Sequence, residues 1–169
     1  MQFPDLKFNG LVRFFGGLVP HTLTASDYPD FAAMRADYLA HGRIAINVNN
    51  SNGTIFADPS VNWDFRAWHD MCHILTDGDF SPAGESPAMA EMLRQMRAHP
   101  GLTDSERDTF ESYIRAEIEG QTAWYSLTGG FPSDQKGFAQ SYLQIAREVR
   151  PKQDAAHIAA MLQLSGVVS

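Results

Sequence analysis

The clearest periodicity in the chain runs from Val61 to Leu75, where Val61, Phe65, Trp68, Cys72 and Leu75 fall at offsets of 4, 7, 11 and 14. That spacing is one apolar stripe of an amphipathic helix, and Asp58-Pro59-Ser60 supplies its start signals. Upstream, a helix is predicted from about Asp27 to His41, ending at Gly42. Downstream, Ser86-Pro87 reads as an N-cap followed by proline at the first helical position. Thr103-x-x-Glu106 is a capping box opening a helix that runs to about Leu127 and stops at Gly129-Gly130. Ser133 then caps a helix to about Val149, and Asp154 opens another to about Leu164.

The stretch RIAINVNNSNGTIF, residues 43–56, breaks this pattern by setting β-branched residues around an Asn-Ser-Asn-Gly cluster. It predicts a short hairpin or an extended loop. With about six helices and at most that one hairpin, the class is mainly α, a compact helical bundle. At 169 residues, with no internal repeat and no linker, residues 1–169 read as a single domain. A domain of that size buries roughly 70% of its unfolded surface around one core.

Composition narrows the functions. Hydrophobic residues at 44% and charged residues at 20% suit a chain that folds unaided. A net charge of -7 with scattered Lys and Arg offers no basic footprint for phosphate backbones, so nucleic acid is not an expected partner. Cys72 is the only cysteine, which excludes a disulfide within the chain and fits a reducing, cytoplasmic setting. The N-terminal stretch lacks the early basic region and small-residue cleavage site of an export signal. Leu6, Phe8, Leu11, Phe14 and Phe15 form an apolar face there, read first as core and second as a contact for membrane or partner.

Chemistry concentrates on the first helix described. His69 and His73 lie on the stripe Asn62, Arg66, His69, His73, Thr76, one position round from the apolar stripe and so at the rim of the core. Imidazoles at i and i+4 are how a helix presents a pair of metal ligands. Asp70, rotated about 100° from His69 and about 60° from His73, can join them on one centre. Glu85 is the first candidate for a further ligand, because Gly78 and Pro82 mark a loop that reverses the chain. Glu117 is a second candidate, sharing a stripe with Phe110, Tyr113 and Trp124 and lying within a turn of Gln121. A carboxylate on an apolar stripe needs a partner; Glu117 is read as a ligand, an acceptor behind a histidine, or the catalytic base. Glu119 faces the other way, into solvent. Cys72 belongs to the core stripe, His99 to helix-end carbonyls and His157 to packing or surface, while His21 and His41 carry no assignment.

The pattern His69-Asp70-x-x-His73, eleven residues, Glu85 resembles the zinc-ligand signature of the coenzyme Q (ubiquinone) biosynthesis protein four family. Leu75-Thr76 and Gly84 also look like that family's motif, and the likeness covers residues 68–85. The resemblance implies a mainly helical fold and makes His69, Asp70, His73 and Glu85 the metal ligands. It also implies quinone head-group processing and lipid binding.

Two other signatures compete. Zincin metalloproteases use His-Glu-x-x-His, and here the shorter Asp70 takes the place of the glutamate that activates water. HD-type phosphohydrolases would recruit His41, His69-Asp70 and one of Asp104, Asp108 or Asp134, leaving His73 and Glu85 without a role. Two imidazoles with carboxylates suit Zn2+ first, and Fe2+ or Mn2+ as well. The expected function is that of a metal-dependent lyase or hydrolase acting on a small organic substrate, quinone-like or lipidic, with Glu117 as its base. Trp63, Trp68, Phe80, Trp124 and Tyr125 are expected to wall the pocket. The alternative of another class is a noncatalytic scaffold or lipid-binding protein with a structural metal.

Overall fold

The computed structural model describes residues 3–148 and 155–166, and the chain is mainly helical, as its periodicity predicts. Its contacts gather into two compact units. One comprises the residues up to Asn52 together with Phe56–Ala98; the other comprises Gly53–Ile55 and the residues from His99 onward.

The first unit contains α1 (Leu6–Gly17), β1 (His21–Thr24), α2 (Phe31–His41), β2 (Ile44–Asn47), α3 (Pro59–Thr76) and α4 (Pro82–Ala98). Asp5, Asp30 and Asp58 cap α1, α2 and α3 by accepting backbone N–H bonds. Each cap satisfies donors that the first turn leaves unpaired. The helix expected from Asp27 begins only at Phe31, because Asp30 rather than Asp27 accepts from Ala33.

The strands differ from the expected hairpin. Ile44–Asn47 pairs in parallel with His21–Thr24, from His21 opposite Ile44 to Thr24 opposite Asn47, so α2 is the crossover between them. Ile44 and Ile46 are buried against Val19, Met34 and Ala67, with Phe31, Tyr38, Trp63 and Met71 packed around them. The Asn-Ser-Asn-Gly cluster carries bends instead of a return strand.

Along α3 the predicted stripe is buried at Val61, Phe65, Trp68 and Cys72, whereas Leu75 is exposed. Trp68 is held on two sides: Phe15 stacks on it at 4.5 Å between centroids, and its Nε1 donates to Gln95 Oε1 of α4 at 2.8 Å. Helices α1 and α3 cross closely at Gly16, where an added Cβ would lie 2.4 Å from the Asp64 carbonyl oxygen. On the N-terminal apolar face Phe8 and Leu11 are buried, while Leu6 and Phe14 are exposed. Among the described residues no helix is long and apolar enough to cross a membrane.

The second unit contains α5 (Asp104–Arg115), a π-helical turn (Ala116–Gly120), α6 (Gln121–Thr128), α7 (Gln135–Glu148) and α8 (Ala155–Ser165). The Thr103–Glu106 capping box is present, and the helix it opens continues through the π turn to Thr128. Arg115 clamps the turn by pairing with Glu111 at 2.9 Å and Glu119 at 2.8 Å, so Glu119 is ion-paired as well as solvated. Phe110, Tyr113, Ile114, Trp124, Phe138, Tyr142, Ile158 and Leu162 are among the larger buried side chains of this unit. The cap of α7 is Asp134 rather than Ser133, since Asp134 Oδ1 accepts from the Gly137 N–H at 2.8 Å. Val149 and Asp154, expected at helix boundaries, lie outside the described residues.

Two glycines of α1 give opposite expectations. Gly16→Ala must push α1 off α3 and is expected to lower stability by about 1–3 kcal/mol. Gly10 has nothing within 4 Å of an added Cβ, so Gly10→Ala is expected to raise stability by about 0.5–1 kcal/mol. Urea unfolding of the two variants checks both signs.

Candidate metal centre

The site grows out of the turn that joins α3 to α4. Helix α3 ends at Thr76; Asp77 takes the left-handed conformation with φ of 53°, and the Gly78 N–H returns to the His73 carbonyl at 3.1 Å. Asp79 then accepts from Ser81, and Ser81-Pro82 starts α4. The expected start at Ser86-Pro87 therefore lies one turn inside the helix, and Pro87 is an interior proline of α4. This early start puts Glu85 in the first turn of α4. Gly84 makes the placement feasible, because a Cβ there would lie 2.1 Å from the Asp79 carbonyl oxygen.

Ligand-type atoms of His69, His73 and Glu85 converge within 4.8 Å of one another. Glu85 Oε2 lies 3.0 Å from His69 Nε2 and 3.5 Å from His73 Nε2. All three atoms are buried, and among the described residues none has a hydrogen-bond partner of acceptable geometry, although His69 Nε2 and Glu85 Oε2 stand at ion-pair distance. His73, expected at the rim, has a fully buried side chain; those of His69 and Glu85 are each 17% exposed. Phe80 stands edge-on to His73 at 5.2 Å, Phe31 lies 6.5 Å from the same ring, and Phe65 stacks along His69 at 6.4 Å.

One ring nitrogen is committed by its surroundings. His73 Nδ1 lies 2.9 Å from the Gly78 carbonyl oxygen, which can only accept, so Nδ1 donates a hydrogen bond there and Nε2 is the nitrogen that faces the centre. A backbone carbonyl behind an imidazole is the usual support of a metal-binding histidine.

The electrostatics follow from charges held close together out of water. Burial alone would raise the Glu85 carboxyl, but the imidazoles of His69 and His73 outweigh it and hold the group down to about 2. At His69 burial opposes protonation, and the carboxylates of Glu85 and Asp70 overcome it, so its pKa is raised. Asp70 is pushed up by burial, with His69, His73 and Arg66 offsetting part of the rise. Its carboxylate lies beside the three, Oδ1 4.0 Å from His69 Nδ1, and is not among the atoms that converge within 4.8 Å.

The remaining candidates sort by position. Cys72 is buried in the core stripe with its thiol pushed up to about 12 by burial, which keeps it a neutral packing residue. Glu117 and Gln121 are buried, as the stripe predicts, on the π turn and at the start of α6 in the second unit. Neither belongs to the cluster that converges around Glu85. Asp104, Asp108 and Asp134 belong to that second unit too. His41 pairs with Asp37 at 2.7 Å at the end of α2 and is not part of the cluster either. His99 accepts from the Gly101 N–H at 3.2 Å. Among the expected wall residues, Phe80 touches the site; Trp68 is core, Trp63 donates to Ser51, and Trp124 and Tyr125 belong to α6. Phe31 and Phe65 also stand against the histidine rings, in addition to the expected walls. Phe65 was legible only as a stripe residue, and Phe31 comes from a helix remote in sequence.

Two imidazole nitrogens and one carboxylate oxygen, close together and without hydrogen bonds, make a donor set for a borderline divalent cation. The turn that delivers Glu85 tolerates no side chain at Gly84. Gly84→Ala is expected to cost about 1–3 kcal/mol of stability by forcing the first turn of α4 away from Asp79. Urea unfolding measures the loss, and an unchanged midpoint would contradict the packing described.

No protein-family model matches the chain, and neither a curated protein nor a solved structure matches it.

Proposed function

We propose that this chain binds one divalent metal ion through His69, His73 and Glu85 and uses it as a metal-dependent lyase or hydrolase on a small, oxygen-bearing organic molecule. The observation that carries the proposal is the convergence of His69 Nε2, His73 Nε2 and Glu85 Oε2, three buried atoms without hydrogen bonds. Buried polar atoms left unpaired are costly, and one cation satisfies all three together. Zn2+ is the first choice for this donor set, and Fe2+ and Mn2+ also suit it.

Three protein donors leave coordination positions for water or substrate, whereas structural zinc sites are closed by four ligands, often thiolates. A metal bound there supplies a Lewis acid that polarises a substrate oxygen or activates a water. The protein's own residues do the positioning. The Gly78 carbonyl anchors the His73 ring at Nδ1, Phe65 and Phe80 fix the two imidazoles from the side, and Asp70 adds a carboxylate beside His69. The likeness of residues 68–85 to the coenzyme Q biosynthesis motif favours a quinone-like substrate within this proposal.

A second reading has one observation in its favour. The donors come from two helices joined by a tight turn, so a metal could serve only to tie α3 to α4. Both readings need the same ligands.

Elemental analysis of the purified protein is expected to give about one equivalent of metal. His69→Ala, His73→Ala and Glu85→Ala are each expected to lower metal affinity by more than about 100-fold, and Asp70→Asn by about tenfold. Cys72→Ala is expected to leave it unchanged. Metal content that survives all three ligand substitutions would overturn the proposal.

A further inference from the structure

In the unit that carries the site, four buried side-chain atoms have no hydrogen-bond partner among the described residues. Three are His69 Nε2, His73 Nε2 and Glu85 Oε2, and the fourth is Nδ2 of Asn62. Other buried polar groups of that unit are served. Asn9 donates to the Asp5 carbonyl at 2.6 Å and accepts from the Ala57 N–H at 2.8 Å, and Ser51 accepts from Trp63 at 3.0 Å. A cation accounts for the first three atoms and leaves Asn62 unexplained.

Asn62 is 5% exposed and sits on α3, seven residues before His69. Seven residues are about two helical turns, so Asn62 and His69 share a face within about 20° and stand about 10 Å apart along the axis. Arg66 lies between them on that face, and its guanidinium donates to the Asn47 carbonyl at 2.6 Å. The face thus offers, in a row, an amide donor, a cationic side chain drawn toward the end of β2, and the imidazoles of the site. A buried amide on an otherwise well-packed helix costs stability unless something accepts from it.

We infer that Asn62 is a specificity-determining residue that donates a hydrogen bond to a neutral oxygen acceptor, a carbonyl or ether, carried by the substrate about 10 Å from the atom bound at the metal. The inference rests on the metal-binding reading of His69, His73 and Glu85 and adds the shape of the molecule they serve. That molecule is elongated, lies along α3 toward its N-terminus, and bears oxygen functions at both ends of the span. Asn62 acts on affinity and orientation and leaves metal binding alone.

The test uses the zinc-loaded full chain and three probes followed by titration calorimetry. Acetohydroxamate reports binding at the metal alone; an alkyl hydroxamate of about eight carbons spans the row without an acceptor; its terminal-amide counterpart adds the acceptor at about 10 Å. The wild type is expected to prefer the amide probe over the alkyl probe by about tenfold. Asn62→Leu is expected to abolish that preference, keep the acetohydroxamate affinity and metal content, and unfold at a higher temperature. Asn62→Ala, which removes the amide without adding bulk, is expected to lose the preference in the same way and serves if the leucine variant does not fold. A wild type that binds the two long probes equally, or variants that retain the preference, would overturn the inference while the metal reading stands. A wild type that takes up no zinc, or whose zinc binds no hydroxamate, would overturn the metal reading with its open position and this inference with it.

Discussion

Two imidazoles and a carboxylate are pressed together because α4 must fold back along α3 after a turn of only residues 77–81. That reversal is tight enough for Gly84 to rest on the Asp79 backbone and for the Gly78 carbonyl to meet the His73 ring. The packing of Trp68 against Gln95 further along the helix pair keeps the two elements together. Bringing such groups together out of water is unfavourable for the bare protein, since each gives up hydration and gains no well-formed hydrogen bond. A site of this kind is stable only if the surrounding packing enforces it, and the arrangement invites a positive ion.

Much of this was legible in the sequence, and the reason is periodicity. The burial of Val61, Phe65, Trp68 and Cys72 follows from their spacing, and the same spacing removes Cys72 from the site while aligning His69 with His73. Glu85 was legible because a turn signal stood between it and the histidines. The depth of His73 was not legible, since Phe31 and Phe80, which crowd it, come from outside the helix. Asp70 illustrates the limit of a wheel: it faces the right sector, but its shorter side chain stays beside His69, outside the converging atoms.

Three elements depart from what local signals predict. Ser81-Pro82 and Ser86-Pro87 carry the same start signal, and only the close approach of Gly84 to Asp79 decides for the earlier one. The strand Ile44–Asn47 was visible as β-branched residues, but its parallel partner HTLT lies across a helix, where no turn signal points. The π turn at Ala116–Gly120 lies inside the helix that the Thr103–Glu106 box opens, where no sequence signal marks it, and it packs closely on α7: at Gly120 an added Cβ would lie 3.0 Å from the Tyr142 ring. The strand pairing thus joins segments distant in sequence, whereas the start of α4 is decided within five residues.

Catalysis at this centre requires that the three donors hold a metal with a coordination position left open. The most direct measurement is the visible absorption spectrum of the cobalt-substituted protein, recorded with and without added azide. Bands that shift on adding azide, and that are lost in Glu85→Ala, are the result expected from His69, His73 and Glu85 with exchangeable water. An intense tetrahedral spectrum indifferent to azide, or no cobalt spectrum at all, would contradict it.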